Sequence, residues 1–247
     1  MSEESNYLFT SEQMQDEQLV PNWVNEEYKK YREVVLNPTF PCFFGKTGEQ
    51  RGELRYSYIT HSDWGHLPKT LSSFLDLVKE PPLIRRGLFL FVEPEEKEQS
   101  FDYYRNYFWD VLQYLNRHDP CEWPEHTPTD PDHFLWSFCF DNENIFAFGN
   151  APTYKQRVTR NLGDSMVIGI QPRRIFKGLE GTEPNGINSR EAVRKRVEIW
   201  DQLPKHPDIS HYGDPSHREW KQFFIGDDCE PILTKCPFQA VNTKKSL

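Results

Sequence analysis

No stretch of the chain is apolar for long enough to cross a membrane as a helix. Such a helix needs about 20 mainly apolar residues, whereas the longest strongly apolar run, GLFLFVEP at 87–94, has the length of a β-strand. The first residues, MSEESNYLFTSEQMQDEQ, have neither the basic nor the apolar segment of a secretory signal. The sequence therefore predicts a cytoplasmic protein without a membrane partner.

Several catalytic signatures are also missing. The chain has no Walker A loop, GxGxxG, HExxH, EF-hand loop or GxSxG, so P-loop, Rossmann, zincin and α/β-hydrolase chemistry are not expected. Its five cysteines are widely spaced and form no CxxC pair. In a cytosolic protein, such cysteines are expected to be reduced thiols rather than disulfides.

Basic residues are outnumbered by acidic ones, 29 against 38, which gives a net charge of −9. Nucleic acids are held mainly by Lys and Arg, so a nucleic-acid partner is not expected, and the acidic balance favours a cationic small ligand. Aromatic residues make up 15% of the chain. Core packing is their commonest role, and lining a pocket for a flat ligand is the alternative.

The residue patterns predict five helices and five strands. Apolar residues at helical spacing predict helices from about 21 to 36, at 70–80, at 100–119 behind a capping Ser100, at 189–203 behind Ser189, and at 214–224 behind Asp214. Alternating or continuous apolar runs predict strands at 53–60, 87–94, 134–140, 144–150 and 165–172, with a hairpin turn at 141–143.

These elements predict a single α+β domain over residues 21–238, with helices packed on one mostly antiparallel or mixed sheet of about five strands. A flexible N-terminal segment, 1–20, and a flexible tail, 239–247, are expected to flank it. The loops 37–52 and 119–133 are long and rich in special residues, which is typical of functional loops.

One cysteine, Cys42, lies in an unusual setting, NPTFPCFFGKTG at 37–48. Pro41 fixes the backbone before it, and two glycines behind it allow the chain to approach a flat ligand. Phe43 and Phe44 could cover the faces of a macrocycle, and nearby basic residues could stabilise a thiolate. The pattern suits a thiolate ligand of haem iron. An inert buried thiol and a nucleophile stay open.

Three histidines cluster in KHPDISHYGDPSHREW, namely His206, His211 and His217. With the aspartates between them they could form a non-haem iron or zinc site, and the alternative is that they are surface or structural residues. His206 is the strongest single candidate because the proline after it holds the backbone extended.

Four blocks of the chain resemble the YqcI/YcgG family: FPCFFG (40–45), SFDYYRNYFWDVLQYLNRHDPCEWPEHTPTDPDHFLWSFCF (100–140), IQPRRIF (170–176) and HPDISHYGDPSHREWKQFF (206–224). The resemblance runs from about residue 37 to about residue 238. It implies a haem-dependent enzyme that hydroxylates a guanidine nitrogen, as members of the family do in the natural-product routes to guanitoxin and D-cycloserine. Tyr154 stands where some relatives have histidine, which makes it a poor ligand candidate here.

Residues and resemblance together predict a haem-dependent monooxygenase that hydroxylates a guanidine nitrogen of L-arginine or an arginine-derived metabolite. Haem b is the predicted cofactor, with Cys42, or alternatively His206, as the iron ligand and catalytic centre. Aromatic rings would flank the macrocycle and arginine forks would bind its propionates. The predicted haem-binding residues are Cys42, Phe43, Phe44, Arg55, Arg173, Arg174 and Trp220, with Trp109 and Trp136 as further stacking candidates.

The substrate and partners follow from the same hypothesis. A carboxylate would hold the guanidinium, and the candidates are Glu93, Asp130 and Asp132. Dioxygen would be the co-substrate, with an external reductase or other electron donor because the chain has no flavin or nicotinamide motif. Two other classes stay open: a non-haem metal enzyme built on the three clustered histidines, and a non-catalytic protein that binds a small ligand. The oligomeric state stays open as well.

Overall fold

A computed structural model describes residues 7–241 of the chain. These residues form five α-helices: α1 (Asn22–Val35), α2 (Phe43–Gln50), α3 (Leu67–Lys79), α4 (Phe101–Arg117) and α5 (Pro184–Asp201). They also form five strands: β1 (Arg55–Ile59), β2 (Leu88–Val92), β3 (Phe138–Phe140), β4 (Glu143–Asn150) and β5 (Val167–Pro172). The predicted α+β class is confirmed, and no helix within the described range is long and apolar enough to span a bilayer.

The five strands form one mixed sheet in the order β1-β2-β5-β4-β3. β1 and β2 are parallel, and the three other pairs are antiparallel. A parallel pair needs a long crossover, which α3 provides here. Ile59 pairs with Val92 at the ends of β1 and β2, so the residues that follow these two strands emerge at the same edge of the sheet.

The hairpin between β3 and β4 is confirmed, with two turn residues rather than three. Phe140 pairs with Glu143, and the two residues between them, Asp141 and Asn142, have φ of 51° and 59°. Positive φ at both positions is the requirement of a type I′ turn, which matches the twist of the strands on either side.

The sheet separates two hydrophobic cores. Leu88, Leu90 and Val92 of β2 face a core that also contains buried residues of α3 and α4, here called the α4-side core. Phe89 and Phe91 face a core that contains buried residues of α1, here called the α1-side core. The alternation along β2 follows from the pleat of a strand, and it places these two cores on opposite faces of the sheet.

One loop prediction and one helix prediction were wrong, and one predicted helix begins earlier than expected. The loop 37–52 contains α2, whose pattern was obscured by a proline and two glycines. α5 begins at Pro184, with proline in its first turn, so Ser189 lies inside the helix and does not cap it. Residues 214–224 form turns and a short 3-10 helix, Glu219–Gln222; Asp214 instead accepts the Ser216 N–H at 3.0 Å in a local turn. The loop 119–133 contains no helix or strand, as predicted.

Part of the predicted flexible segment, 1–20, contacts the sheet and the α1-side core, while the prediction of flexibility itself stays a prediction. Phe9 exchanges backbone hydrogen bonds of 2.8 and 2.9 Å with Tyr56 of β1, and Met14 and Val20 are buried in the α1-side core. In the predicted tail, Gln239 donates its N–H to the Gln113 side chain at 3.0 Å. Residues 1–6 and 242–247, on which the rest of these predictions fell, lie outside the described residues.

Candidate functional site

Cys42 is the residue immediately before α2, and it packs against the α1-side core. Its Sγ accepts a hydrogen bond from the Gly45 N–H at 3.4 Å. Burial raises the pKa of the Cys42 thiol, and the N–H groups of Gly45 and Phe44 and the charge of Arg196 offset that rise only in part. The sulfur is therefore a protonated thiol at neutral pH, which favours the inert alternative over a nucleophile.

A buried carboxylate, Glu49, lies on α2 seven residues after Cys42. The Glu49 side chain is fully buried, and it accepts hydrogen bonds from the hydroxyls of Tyr28, at 2.7 Å, and Tyr56. Burial, and after it the charge of Glu49, raises the pKa of Tyr31, and Cys42 adds a smaller contribution. Tyr28, Tyr31 and Tyr56 are all fully buried and are here called the buried tyrosine cluster.

His206 is also fully buried. Its Nδ1 accepts a hydrogen bond from the Asp208 N–H at 3.2 Å, so the neutral ring carries its proton on Nε2. Burial is the main cause that lowers the His206 pKa and keeps the ring neutral. Nε2 has no hydrogen-bond partner among the described residues and lies 4.0 Å from Asp228 Oδ1. In this tautomer Nε2 is an N–H donor, whereas a metal ligand needs a free lone pair there.

The clustered histidines do not form the predicted non-haem metal centre. His217 Nδ1 lies 3.0 Å from Asp214 Oδ2, and its Nε2 lies 3.2 Å from the Pro207 carbonyl oxygen. Across residues 7–241, no three His, Cys, Asp or Glu side chains are grouped so that they could hold a metal ion. The arrangement of His206, His211 and His217 is therefore that of structural and surface residues.

The arginines predicted to bind haem propionates already have partners. Arg55 donates to the carbonyls of Gly52 and Leu54 at 3.0 and 2.8 Å. Arg174 forms an ion pair with Glu143. Arg173 forms an ion pair with Glu219, and its guanidinium lies 3.5 Å from the centroid of the Tyr212 ring.

The aromatic residues predicted for one haem pocket lie in separate parts of the molecule. Phe43 and Phe44 follow Cys42, with their ring centroids 4.4 Å apart. Trp109, Trp136 and Trp220 belong to the α4-side core, on the opposite face of the sheet from Cys42. The structure therefore does not bring the predicted haem-binding residues together.

This arrangement does not fit haem on either predicted ligand. Cys42 is a half-buried thiol whose sulfur accepts the Gly45 N–H, and His206 presents an N–H rather than a lone pair. Two cavities stand out in the described part of the chain, of about 320 and 130 Å³, and neither is lined by Cys42 or His206. Tyr154 is also buried, and its hydroxyl donates a hydrogen bond to the Ile225 carbonyl at 2.7 Å. These contacts are those of a residue that packs in the core.

The predicted substrate carboxylates lie in two places, Asp130 and Asp132 in the loop between α4 and β3 and Glu93 after β2. Asp132 accepts the Trp220 indole N–H at 3.4 Å, beside the smaller cavity, which Trp109 and Trp220 help to line. Asp130 accepts the Asp132 N–H at 2.9 Å and so shapes the loop. Glu93 directly follows β2 and accepts the His61 N–H at 3.1 Å. Glu93 is thus at the edge of the sheet where β1 and β2 both end.

The larger cavity opens beside this edge and is lined by His61, Ser62, Asp63, Trp64, Gly65 and Tyr114, here called the strand-end pocket. Trp64 donates its indole N–H to the Thr60 carbonyl at 3.0 Å. Its ring centroid lies 5.4 Å from that of Tyr107 and 5.4 Å from that of Tyr114. The pocket therefore combines a fixed aromatic wall with the polar segment that follows β1.

Carboxylates surround the aromatic wall of the strand-end pocket. Burial raises the pKa of Tyr107 to about 12, and the charges of Glu95, Glu93 and Asp110 add to that rise. Glu95 accepts a hydrogen bond from the Tyr103 hydroxyl and lies 3.5 Å from His61 Nδ1. Negative charge and aromatic faces are the features that attract an organic cation.

Sequence reasoning found Glu93 but missed Trp64 and Tyr114. The segment HSDWG follows the strand predicted at 53–60, and Glu93 follows the hydrophobic core of the run at 87–94. A prediction that these two strands are parallel neighbours would have placed both segments at one edge of the sheet, where α/β sheets commonly bind ligands.

Comparison with known proteins identifies a family and three similar proteins. The profile of the YqcI/YcgG family matches residues 31–239. Two Bacillus subtilis (strain 168) proteins are similar: "Uncharacterized protein YcgG", 33% identical over 92% of this chain and 91% of that protein, and "Uncharacterized protein YqcI", 30% identical over 89% of each. The "Putative N(omega)-hydroxy-L-arginine synthase DcsA" of Streptomyces lavendulae is 26% identical over 96% of this chain and 91% of that protein. No solved structure matches the chain significantly.

Proposed function

The chain belongs to the YqcI/YcgG family, and on that premise we propose that it hydroxylates a guanidine nitrogen of L-arginine or of an arginine-derived metabolite. The observation that carries the proposal is the likeness to the Streptomyces lavendulae relative, whose name is that of an arginine N-hydroxylating enzyme. That likeness extends over nearly the whole of both chains, so it is not confined to a shared fragment.

The proposed reaction needs dioxygen and two electrons. One oxygen atom is inserted into an N–H bond of the guanidine, which converts N–H into N–OH. The other oxygen atom takes up two electrons and two protons and leaves as water. An external reductant of the reductase class must supply the electrons, because the chain contains no flavin or nicotinamide motif. Haem b stays the cofactor predicted from the family resemblance, and no step is assigned to it because neither Cys42 nor His206 fits as its ligand.

The charge distribution supports a guanidinium substrate. The chain carries a net charge of −9. Glu93 and Glu95 follow β2, and their charges act on Tyr107, whose ring contacts Trp64 of the strand-end pocket. A carboxylate accepts the paired N–H groups of a guanidinium through its two oxygens. A substrate that is cationic at the reacting end therefore suits this surface better than an anionic one.

Two measurements on the purified protein test the proposal. Protein from haem-supplemented cells is first examined by the pyridine haemochrome assay, which measures bound haem. It is then incubated with L-arginine, dioxygen, a reductase and NADPH, and N-hydroxyarginine is sought by mass spectrometry, with L-citrulline as the control substrate that lacks a guanidine. Formation of the hydroxylated product from L-arginine is expected. Its absence with a fully haem-loaded protein would contradict the proposal.

A second candidate is a protein that binds a guanidine compound without catalysis. The observation that favours it is the lack of a fitting iron ligand at Cys42 and His206. Thermal stabilisation of the protein by L-arginine without turnover, in the presence of haem and reductant, would support this candidate.

A further inference from the structure

The strand-end pocket lies where an open sheet commonly binds its ligand. β1 and β2 are parallel neighbours, and the Glu93 N–H continues their pairing with a 3.0 Å hydrogen bond to the Ile59 carbonyl. The chain leaves the sheet at Thr60 and Glu93, so two separate segments meet at this edge. Ligands of open α/β sheets bind in the crevice outside the carboxyl ends of the strands.

The aromatic wall of the pocket is held in place from several sides. The Trp64 indole is fixed by its hydrogen bond to Thr60 and by contacts with two tyrosine rings of α4, Tyr107 and Tyr114. Tyr114 also contacts the His118 ring, at a centroid distance of 4.1 Å. An aromatic face that is already ordered loses little conformational freedom when a ligand stacks on it.

Carboxylates lie in and next to the strand-end pocket. Asp63 lines the cavity, its Oδ1 accepts the Gly65 N–H at 3.0 Å, and the residue is exposed to solvent. The charges of Glu93 and Glu95 raise the pKa of the neighbouring Tyr107. None of the six lining residues is Lys or Arg, so a cation entering the cavity meets the Asp63 carboxylate and the aromatic faces of Trp64 and Tyr114.

We propose that the strand-end pocket binds the guanidinium group of the substrate, with Trp64 stacking on its face and Asp63 accepting its N–H groups. This inference rests on the proposed function for the identity of the ligand. A guanidinium is planar, stacks on aromatic rings and presents N–H groups in a fork that fits a carboxylate. The cavity of about 320 Å³ is within the range of small-molecule sites.

Isothermal titration calorimetry of the full-length protein tests the pocket without turnover. The ligands are L-arginine, agmatine, which keeps the guanidinium and lacks the carboxylate, and L-citrulline, which replaces the guanidinium by a neutral group of similar shape. Both guanidinium compounds should bind more tightly than L-citrulline. Equal binding of L-citrulline, or no binding of L-arginine and agmatine, would overturn the inference.

Variants locate the site. Trp64→Leu should weaken L-arginine binding about tenfold through the lost cation–π contact. Asp63→Asn keeps the acceptor for Gly65 and should weaken binding about two- to fivefold, because the lost charge is exposed. Trp200→Leu is the matched control, since Trp200 lies on α5 and contacts Phe40 in the α1-side core, and it should bind like the wild type. Wild-type affinity in both pocket variants would overturn the inference.

The same variants separate this inference from the proposed function. Binding of L-arginine that depends on Trp64 and Asp63, without any N-hydroxylated product, would refute the proposed function and leave the pocket assignment standing. Turnover of L-arginine with an unchanged KM in both variants would refute the pocket assignment and leave the proposed function standing.

Discussion

Replacement of Glu49 by alanine should lower the free energy of unfolding by about 3–5 kcal/mol. The Glu49 carboxylate is fully buried and accepts hydrogen bonds from Tyr28 at 2.7 Å, from Arg32 Nε at 2.8 Å and from Tyr56. Each hydrogen bond to a charged group contributes about 1.5–3 kcal/mol. The three losses do not add fully, because the Arg32 side chain is 34% exposed and water can replace part of what it loses.

Urea denaturation followed by circular dichroism measures this loss as a lower midpoint at an unchanged slope. Glu49→Gln keeps the shape and one acceptor oxygen, so it should cost less than Glu49→Ala. Glu17→Ala is the control: Glu17 pairs with Lys29 at 3.8 Å and both side chains are mostly exposed, so it should cost less than about 1 kcal/mol. A loss below about 1 kcal/mol for Glu49→Ala would refute the role given to the buried carboxylate.

Three further predictions concern pH, packing and the thiol. Burial raises the folded-state pKa of every member of the buried tyrosine cluster, and unfolded tyrosines ionise near pH 10. The free energy of unfolding should therefore fall as the pH rises above about 10, by up to about 1.4 kcal/mol per pH unit for each such tyrosine. Tyr31→Phe should make that slope shallower by up to about 1.4 kcal/mol per pH unit, and an unchanged slope would contradict the reasoning. Gly169→Ala would place a Cβ 2.2 Å from the Phe148 ring and should lower the free energy of unfolding by about 1–3 kcal/mol, measured by urea titration. Gly87→Ala is the control, because its nearest neighbouring atom would lie at 3.4 Å, and it should lower that free energy by less. Equal losses in the two variants would contradict the packing argument and show that the Phe148 ring moves aside freely. Cys42→Ser should leave the haem content and the ferrous–CO spectrum of haem-reconstituted protein unchanged, and loss of a red-shifted thiolate band would reassign Cys42 as the iron ligand.

Local patterns predicted most elements of the fold. The continuous apolar run at 87–94 predicted a buried strand, and β2 is buried at all five of its positions. Ser100 was predicted to cap a helix, and its side chain accepts the Tyr103 N–H at 3.1 Å at the start of α4. Such features depend on neighbours within a few residues along the chain, so they can be predicted from the local sequence.

The pairing of strands could not be predicted in the same way. β2 is parallel to β1 and antiparallel to β5, and both partners lie far from it in sequence. The parallel pair is what brings His61 to Glu93, 32 residues apart in the chain. The strand-end pocket depends on this non-local pairing, and for that reason the sequence indicated Glu93 alone.

The pKa of Cys42 depends on how far the folded chain covers its thiol, which the local sequence does not reveal. Its flanking residues suggested a thiolate stabilised by nearby basic side chains, but burial dominates and raises the thiol pKa. The prediction also treated residues 37–52 as a loop, whereas α2 places Glu49, seven residues further on, among tyrosines from α1 and β1. His206 was chosen for its proline neighbour, and the Asp208 N–H that fixes its tautomer becomes visible only in the folded chain.

The most direct test of the central claim is turnover of L-arginine labelled with ¹⁵N in its guanidine group under ¹⁸O₂, with haem-loaded protein, a reductase and NADPH. Mass spectrometry then identifies both the product and the origin of its oxygen. The proposed function predicts N-hydroxyarginine that carries ¹⁸O on a ¹⁵N atom of the guanidine group. Recovery of unchanged L-arginine from protein that binds it and is fully loaded with haem would contradict the claim.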